Sequence, residues 1–432
     1  MPRYTSYPPA NLFEQDTGRR VQAGWLDEVR PGERLSLYIH IPFCRRLCWF
    51  CACRTQGTRT LRPVESYVDT LIDEMAVVRA AMPERVSVSR LHLGGGTPTL
   101  LSPELMERLI GRLNDRFEFD ADMEFSVEID PTEAAPGVLE SLAGLGMNRA
   151  SIGVQDFEPQ VQKAIGRQQS FEETADVVAQ LRDMGVHSLN LDLLYGLPHQ
   201  TADTLAATLE QVFRLQPDRL ALYGYAHVPK MSKRQVMIDD STLPGPRTRH
   251  SMAELAHSAF THRGYVPLGI DHFAKPEDSL ARAAANRTMR RNFQGYTDDP
   301  CETLIGLGAS AISRFRGGFV QNAVATAAYA DRVARDGLAG HRGLKLGPVE
   351  NLIGEMISKL MCYGEINLAS LPDAPGLDAY DVLSRVHHRF ADVSSFDGAR
   401  FILSPDAKSL TRVVAAALDA SDRQEQRHSA AI

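Results

Sequence analysis

Four of the chain's six cysteines fall within ten residues, Cys44, Cys48, Cys51 and Cys53, spaced C-x3-C-x2-C-x-C. They directly follow the strand-like run Leu35–Ile41. Sulfur this concentrated serves a disulfide knot, a zinc site or an iron–sulfur cluster. A disulfide framework belongs to short secreted chains that cannot build a large core. At 432 residues this chain can bury one unaided. Its start, Met1-Pro2-Arg3-Tyr4-Thr5-Ser6-Tyr7-Pro8, has no apolar signal-peptide run. No apolar segment approaches the ~18 residues of a membrane span. The expectation is therefore a reduced, cytoplasmic protein with no membrane partner. Zinc can take four thiolates, but zinc modules usually pair two C-x2-C knuckles, and no second knuckle exists here. The ferredoxin pattern does not match either. What fits is C-x3-C-x2-C, with Cys44, Cys48 and Cys51 as metal ligands of a four-iron cluster whose remaining iron stays open. Zinc is the alternative.

A net charge of −7 and the lack of a long basic run give no phosphate-tracking face, so no nucleic-acid partner is expected. From about residue 35, short β-rich runs alternate with amphipathic segments. Strands are expected at Leu35–Ile41, Val86–Leu93, Met123–Ile129, Arg149–Val154, Ser188–Leu194 and Arg219–Tyr225. Helices are expected where Tyr67, Val68, Leu71, Ile72 and Met75 share a face, after the Ser102 cap, and near Phe171–Met184 and Thr204–Leu215. Six strand–helix units predict a parallel α/β barrel or part of one, with a doubly wound sheet as the alternative. The polar residues of interest follow or end the strands: the cysteine loop, Gly94-Gly95-Gly96, Glu128, Gln155, Asp192 and Ala226-His227. Parallel barrels carry their active sites at that end. Beyond residue 340 two apolar stripes, Leu352 to Met361 and Leu410 to Leu418, predict a small helical domain. The expected division is an arm over residues 1–30, a catalytic domain over 31–342 and a helical domain over 343–432. The tail Ser421–His428 reads as a frayed end.

The cysteine spacing, with Phe50 before the third cysteine, resembles the radical S-adenosylmethionine (SAM) superfamily. Further segments narrow the likeness: Pro2–Pro8, Tyr38–Cys44, Cys53, the GGGTPT turn, Gly153–Phe157, Asp192–Pro198 and Arg291–Thr297. Together they resemble the oxygen-independent coproporphyrinogen III oxidases, over residues 2 to about 315. The resemblance implies a partial TIM-like (β/α)6 radical-SAM barrel with an N-terminal arm and a C-terminal helical domain. It also implies a [4Fe–4S] cluster, two SAM molecules, and conversion of two propionates of coproporphyrinogen III to vinyl groups through a 5′-deoxyadenosyl radical. Implied partners are that substrate and a low-potential electron donor such as a flavodoxin or ferredoxin, with the enzyme a monomer.

By matching position, Tyr38, Gly95, Glu128, Ala226 and Ile312 would hold the first SAM. Phe50, Gly96, Thr97, Gln155, Arg167 and Asp192 would hold the second. Tyr38, Glu128 and Gln294 are the implied catalytic residues. Read without the resemblance, Gly94–Gly96 is a tight turn, Glu128 a solvated strand-end carboxylate and Arg167 an exposed helix arginine. Cys53 is implied to lie near the cluster without ligating it, while Cys301 and Cys362 read as core thiols. His40 and His227 are equally readable as hydrogen-bonded structural histidines. Arg3, Tyr4 and Tyr7 suit an arm folded over the active-site mouth. Tyr363 and Glu365 depart from the family pattern, and Glu365 turned inward would oppose an anionic substrate. Haem-binding relatives of the family are the rival reading, but as a rule they lack the fourth cysteine and the tyrosine-rich arm.

Overall fold

The computed structural model describes residues 6–134 and 136–419. Arg3, Tyr4 and the tail Ser421–His428 lie outside the described residues. Seven parallel strands form the centre of one large sheet: β1 (Arg34–Ile41), β2 (Ser87–Gly95), β3 (Glu118–Ile129), β4 (Arg149–Gln155), β5 (Ser188–Tyr195), β6 (Arg219–Gly224) and β7 (Thr303–Leu307). Their spatial order is β7-β1-β2-β3-β4-β5-β6. Six of them are the strands expected from the sequence; β7 was not, and it pairs with β1 in the register Ile305↔Leu37. Three antiparallel strands, β8 (Ile312–Phe315), β9 (Gly318–Asn322) and β10 (Gly340–Lys345), extend the sheet beyond β7. On the other edge His272–Ala274 pairs antiparallel with β6.

The parallel part of the sheet curls around a cavity. Alternate residues of its strands face inward, for example Tyr38, His92, Ser126, Ser151, Asn190 and Tyr223, and all line the same space. A doubly wound sheet would bury both faces under helices instead. Here the apolar sides of β1 to β6 form one core with helices α1 (Arg62–Ala80), α2 (Pro103–Asn114), α3 (Pro136–Gly144), α4 (Phe171–Asp183) and α5 (Ala202–Arg214). Sequence punctuation sets these helices. Ser102 Oγ accepts from Leu105 N at 3.4 Å, and Pro103 occupies the first turn of α2. Ser170 and Glu173 cap α4 reciprocally at 3.1 and 2.7 Å.

After α6 (Thr326–Asp336) and β10, a second core begins, built on α7 (Pro348–Tyr363), α8 (Ala379–Arg389) and α9 (Thr411–Leu418). Leu352, Met356, Leu360, Val414 and Leu418 are buried there as their stripes predict. This part is not wholly helical: Glu365–Asn367, Arg400–Leu403 and Ser394–Phe396 form a three-stranded antiparallel sheet. Residue 343 lies inside β10, and the two cores part between β10 and α7.

Candidate active site

The cysteine loop leaves the top of β1 and is fixed from three sides. Phe43–Cys44 pairs with Gln56–Gly57, closing the loop on itself. From below, Gly96 N donates to Ile41 O and Thr97 N to Phe43 O, each at 2.8 Å. From above, Ser232 Oγ donates to Cys51 O at 2.9 Å, Gln235 Nε2 to Phe50 O at 2.8 Å and Arg234 Nη2 to Thr55 O at 2.6 Å. The glycines are needed for this packing. A Cβ on Gly96 would sit 2.5 Å from Phe43 O, and one on Gly95, at φ +114°, would sit 2.5 Å from the His40 ring.

Cys44, Cys48, Cys51 and Cys53 are free thiols facing one cavity of about 520 Å³. Burial pushes the Cys44 thiol up to about 11. Cys51 and Cys53 share a hydrogen bond that lowers the pKa of Cys51 and raises that of Cys53, so Cys51 ionises first. Among the described residues, no three His, Cys, Asp or Glu side chains converge as they would around one metal ion.

The same cavity collects Tyr38, Phe50, Gly95, Gly96, Thr97, Glu128, Gln155, Arg167, Asp192 and Gln294. Glu128 Oε2 accepts from Gly95 N at 2.8 Å, and Oε1 lies 3.5 Å from His92 Nε2. Burial alone would raise this carboxyl's pKa; the His92 hydrogen bond and charge, with the Gly95 amide, outweigh it and hold it below the ordinary value. It remains a carboxylate. Tyr38 OH hydrogen-bonds His40 Nδ1 at 2.9 Å, and its ring stacks on His92 at 5.6 Å. His40 Nε2 is bonded to Arg54 O at 3.3 Å, so both of its nitrogens are engaged by the protein. His227 is likewise bonded to Tyr225 OH, at 2.9 Å.

Asp192 sits three residues inside β5 rather than at its end. Burial raises its pKa, against hydrogen bonds from Asn190 at 2.8 Å and Ser151 at 3.1 Å. Gln155 holds φ +68° at the end of β4, a strained backbone of the kind that clusters at functional sites. Arg167 is not an exposed helix arginine. It is 7 % exposed and lies past the short helix Pro159–Ala164. Its guanidinium donates to Asp130 Oδ2 at 2.8 Å, Gly153 O at 2.7 Å, Gln169 Oε1 at 3.2 Å and Cys48 Sγ at 3.6 Å.

Two of the expected residues stand apart. Ala226 is buried under Gln235, whose Nε2 donates to its carbonyl at 3.2 Å. Ile312 starts β8 and faces a second, larger cavity. Glu365 does not turn inward unpaired: Arg287 holds it at 2.5 Å and Arg400 at 3.1 Å. Tyr363 OH donates to Met289 O at 2.8 Å. Cys362 is a buried thiol, and Cys301 contacts Ser89 Oγ at 3.0 Å.

Sequence reasoning passed over the cavity floor. Arg149 pairs with Glu124 at 2.8 Å, Arg219 with Asp278 at 2.6 Å and Arg90 with Asp298 at 3.5 Å. It also passed over Tyr223 and His272, which line the cavity beside Asp192. His272 Nδ1 lies 2.8 Å from Asp271 Oδ1, and its Nε2 lies 3.4 Å from Tyr223 OH.

A family model described as the Radical SAM superfamily matches residues 38–212. An oxygen-independent coproporphyrinogen III oxidase of Cereibacter sphaeroides is 48 % identical, with 100 % of this chain and 96 % of that protein covered. The chain belongs to the oxygen-independent coproporphyrinogen III oxidase family. Another member of this oxidase family, from Paracoccus denitrificans, is 47 % identical over the same shares. The solved coproporphyrinogen III oxidase of Escherichia coli, described as a radical SAM enzyme, superposes with a TM-score of 0.92 at 35 % identity, covering 97 % of both chains. Membership of this oxidase family brings a [4Fe–4S] cluster and SAM. The donor set fits: Cys44, Cys48 and Cys51 supply three ionisable soft sulfurs on one backbone-clamped loop, facing a cavity lined by polar groups.

Proposed function

We propose that this chain catalyses the oxygen-independent oxidative decarboxylation of two propionates of coproporphyrinogen III, giving the two vinyl groups of protoporphyrinogen IX in haem biosynthesis. The observation that carries the reading is the meeting of Cys44, Cys48 and Cys51 with Tyr38, Glu128 and Asp192 in one cavity of a chain that matches such oxidases end to end. When bound, the cluster and SAM supply an electron and a carbon radical that takes a hydrogen atom from the propionate β-carbon; carbon dioxide and one electron then leave, and a vinyl group remains.

The chain's own residues orient and exclude. Glu128, kept as a carboxylate, has lone pairs left after Gly95 and His92 to accept from ribose hydroxyls. Four of the five N–H groups of Arg167 are spent on Asp130, Cys48, Gly153 and Gln169, leaving one to meet a ligand carboxylate. Two SAM molecules are proposed. Tyr38, Gly95, Glu128, Ala226 and Ile312 would hold the first. Phe50, Gly96, Thr97, Gln155, Arg167 and Asp192 would contact the second. Gln294 lines this cavity and its larger neighbour, and so stands where the substrate enters. The electron donor is proposed to be a low-potential flavodoxin or ferredoxin serving a monomeric, cytoplasmic enzyme.

The test is anaerobic reconstitution with iron and sulfide, followed by SAM, a strong reductant and coproporphyrinogen III, with products separated by chromatography. The expected products are protoporphyrinogen IX and two equivalents of carbon dioxide. 5′-Deoxyadenosine without a vinyl product would assign the chain another substrate.

A further inference from the structure

Beside the catalytic cavity lies a second one of about 1160 Å³. Asn292, Gln294, Thr297, Asp298, Asp299 and Leu304 line both, so the two spaces adjoin. Phe293 and Phe319 give the second cavity an aromatic side, their rings 5.4 Å apart and edge to face. Its charges sort into engaged and unengaged groups. Asp298 pairs with Arg90, Asp299 bonds Ser36, and Glu350 caps Gly347 N at 3.0 Å. Glu302 is taken by Arg316 at 2.9 Å, Glu355 by Lys359 at 3.2 Å, and Arg287 by Glu365.

The guanidinium groups of Arg290 and Arg314 have no carboxylate partner among the described residues. There the Arg290 guanidinium donates only to Pro300 O, at 3.1 Å. The guanidinium of Arg314, on β8 between Leu304 and Phe319, makes no hydrogen bond or ion pair among the described residues. Desolvation by the surrounding atoms first, and then the Arg290 charge, lowers the pKa of Arg314, although the residue itself stays exposed. Both residues are exposed where they line the cavity, so two like charges stand open to two anions from solvent.

Coproporphyrinogen III carries four propionates, and the reaction proposed above consumes two. We propose that Arg290 and Arg314 hold the two propionates left intact, so that the tetrapyrrole lies across both cavities with its reacting side chains in the first. The pyrrole faces rest on Phe293 and Phe319. The two arginines thus decide which end of the macrocycle enters the catalytic cavity. This reading rests on the proposed function, and its test separates the two.

Arg314→Gln, Arg290→Gln and the double variant are compared with wild type as reconstituted holoenzymes. Each single change is expected to raise KM for coproporphyrinogen III about tenfold or more, with Arg314→Lys recovering part of the loss. Cluster content and substrate-free cleavage of SAM should stay at wild-type levels. A binding arm uses deuteroporphyrin IX, which keeps only those two propionates, and its dimethyl ester, in which they are masked. Wild type should prefer the diacid, and the double variant should bind both alike. An unchanged KM in the double variant, or a wild type that binds diacid and ester equally, overturns the proposal. A wild type that discriminates diacid from ester but does not convert coproporphyrinogen III overturns the function and leaves the dianion site standing.

Discussion

Glu74 is fully buried and has no cationic partner among the described residues. It accepts from Gly308 N at 2.8 Å, Asn322 Nδ2 at 2.7 Å and Tyr329 OH at 2.8 Å. Burial outweighs those bonds and pushes its carboxyl up to about 7. Unfolded, it would titrate near the ordinary value of 4.5. Between the two values the folded chain binds the extra proton, so the group's contribution to stability falls as pH rises, by about 3 kcal/mol in all. Glu74→Gln keeps the shape and removes the titration. Thermal melts from pH 5 to 8 should show the variant gaining on wild type with rising pH; a constant difference would refute the assignment. The signal was present in the sequence. Tyr67, Leu71, Glu74, Met75 and Val78 lie on one face of α1, and an acid inside an apolar stripe marks a buried polar centre. The interior ions Arg90, Glu124 and Arg149 were also in view, as polar residues alternating with apolar ones in strands that curl around a space. What no local pattern carries is the distant partners: Asp298 of Arg90 and Asp278 of Arg219 come from loops some sixty residues or more further along.

At the scale of elements, the six parallel strands and the helices between them were legible because period-two and period-3.6 patterns alternate with clear caps. β7 was not, because Thr303–Leu307 is five residues long and its partner β1 lies far away in sequence. The glycine turn was legible as a turn, but not its packing role. Its missing side chains also make room for Ile41 O, Phe43 O and the His40 ring. That role is testable. Gly96→Ala drives a methyl group to 2.5 Å from Phe43 O, a rigid backbone atom, so the cysteine loop must shift. The expected outcome is a folded barrel with normal far-ultraviolet circular dichroism that retains less than half of the wild-type iron and sulfide after reconstitution. Full cluster occupancy would show that the loop does not depend on the turn. Thr97→Ser, which keeps the amide bond to Phe43 O, should leave cluster content unchanged.

At the scale of the whole molecule, the first described residues reach the second cavity and the last described helix reaches the barrel at Asp271. Ser6, Tyr7 and Pro8 line the second cavity, and Tyr7 packs against Gly354 of α7. Deleting residues 2–9 should therefore abolish decarboxylation while leaving substrate-free SAM cleavage intact; unchanged turnover would exclude a role for the arm. From the other end, α9 reaches back to the barrel through one ion pair. Arg412 Nη2 donates to Asp271 Oδ2 at 2.7 Å, and the other oxygen of Asp271 faces His272 Nδ1. His272 lines the catalytic cavity and lies edge-on to Tyr296, ring centroids 5.1 Å apart. The C-terminal helix thus fixes the orientation of a ring about which the barrel alone would leave more freedom. Removing the cation leaves Asp271 buried with one partner fewer, a loss of about 3 kcal/mol in stability. Arg412→Ala should lower Tm and, below that Tm, reduce kcat for coproporphyrinogen III about tenfold. Arg412→Lys should restore most of the Tm and less of the kcat, since a point charge replaces the planar donor but not its direction. A kcat untouched in Arg412→Ala would confine the pair to holding the two cores together.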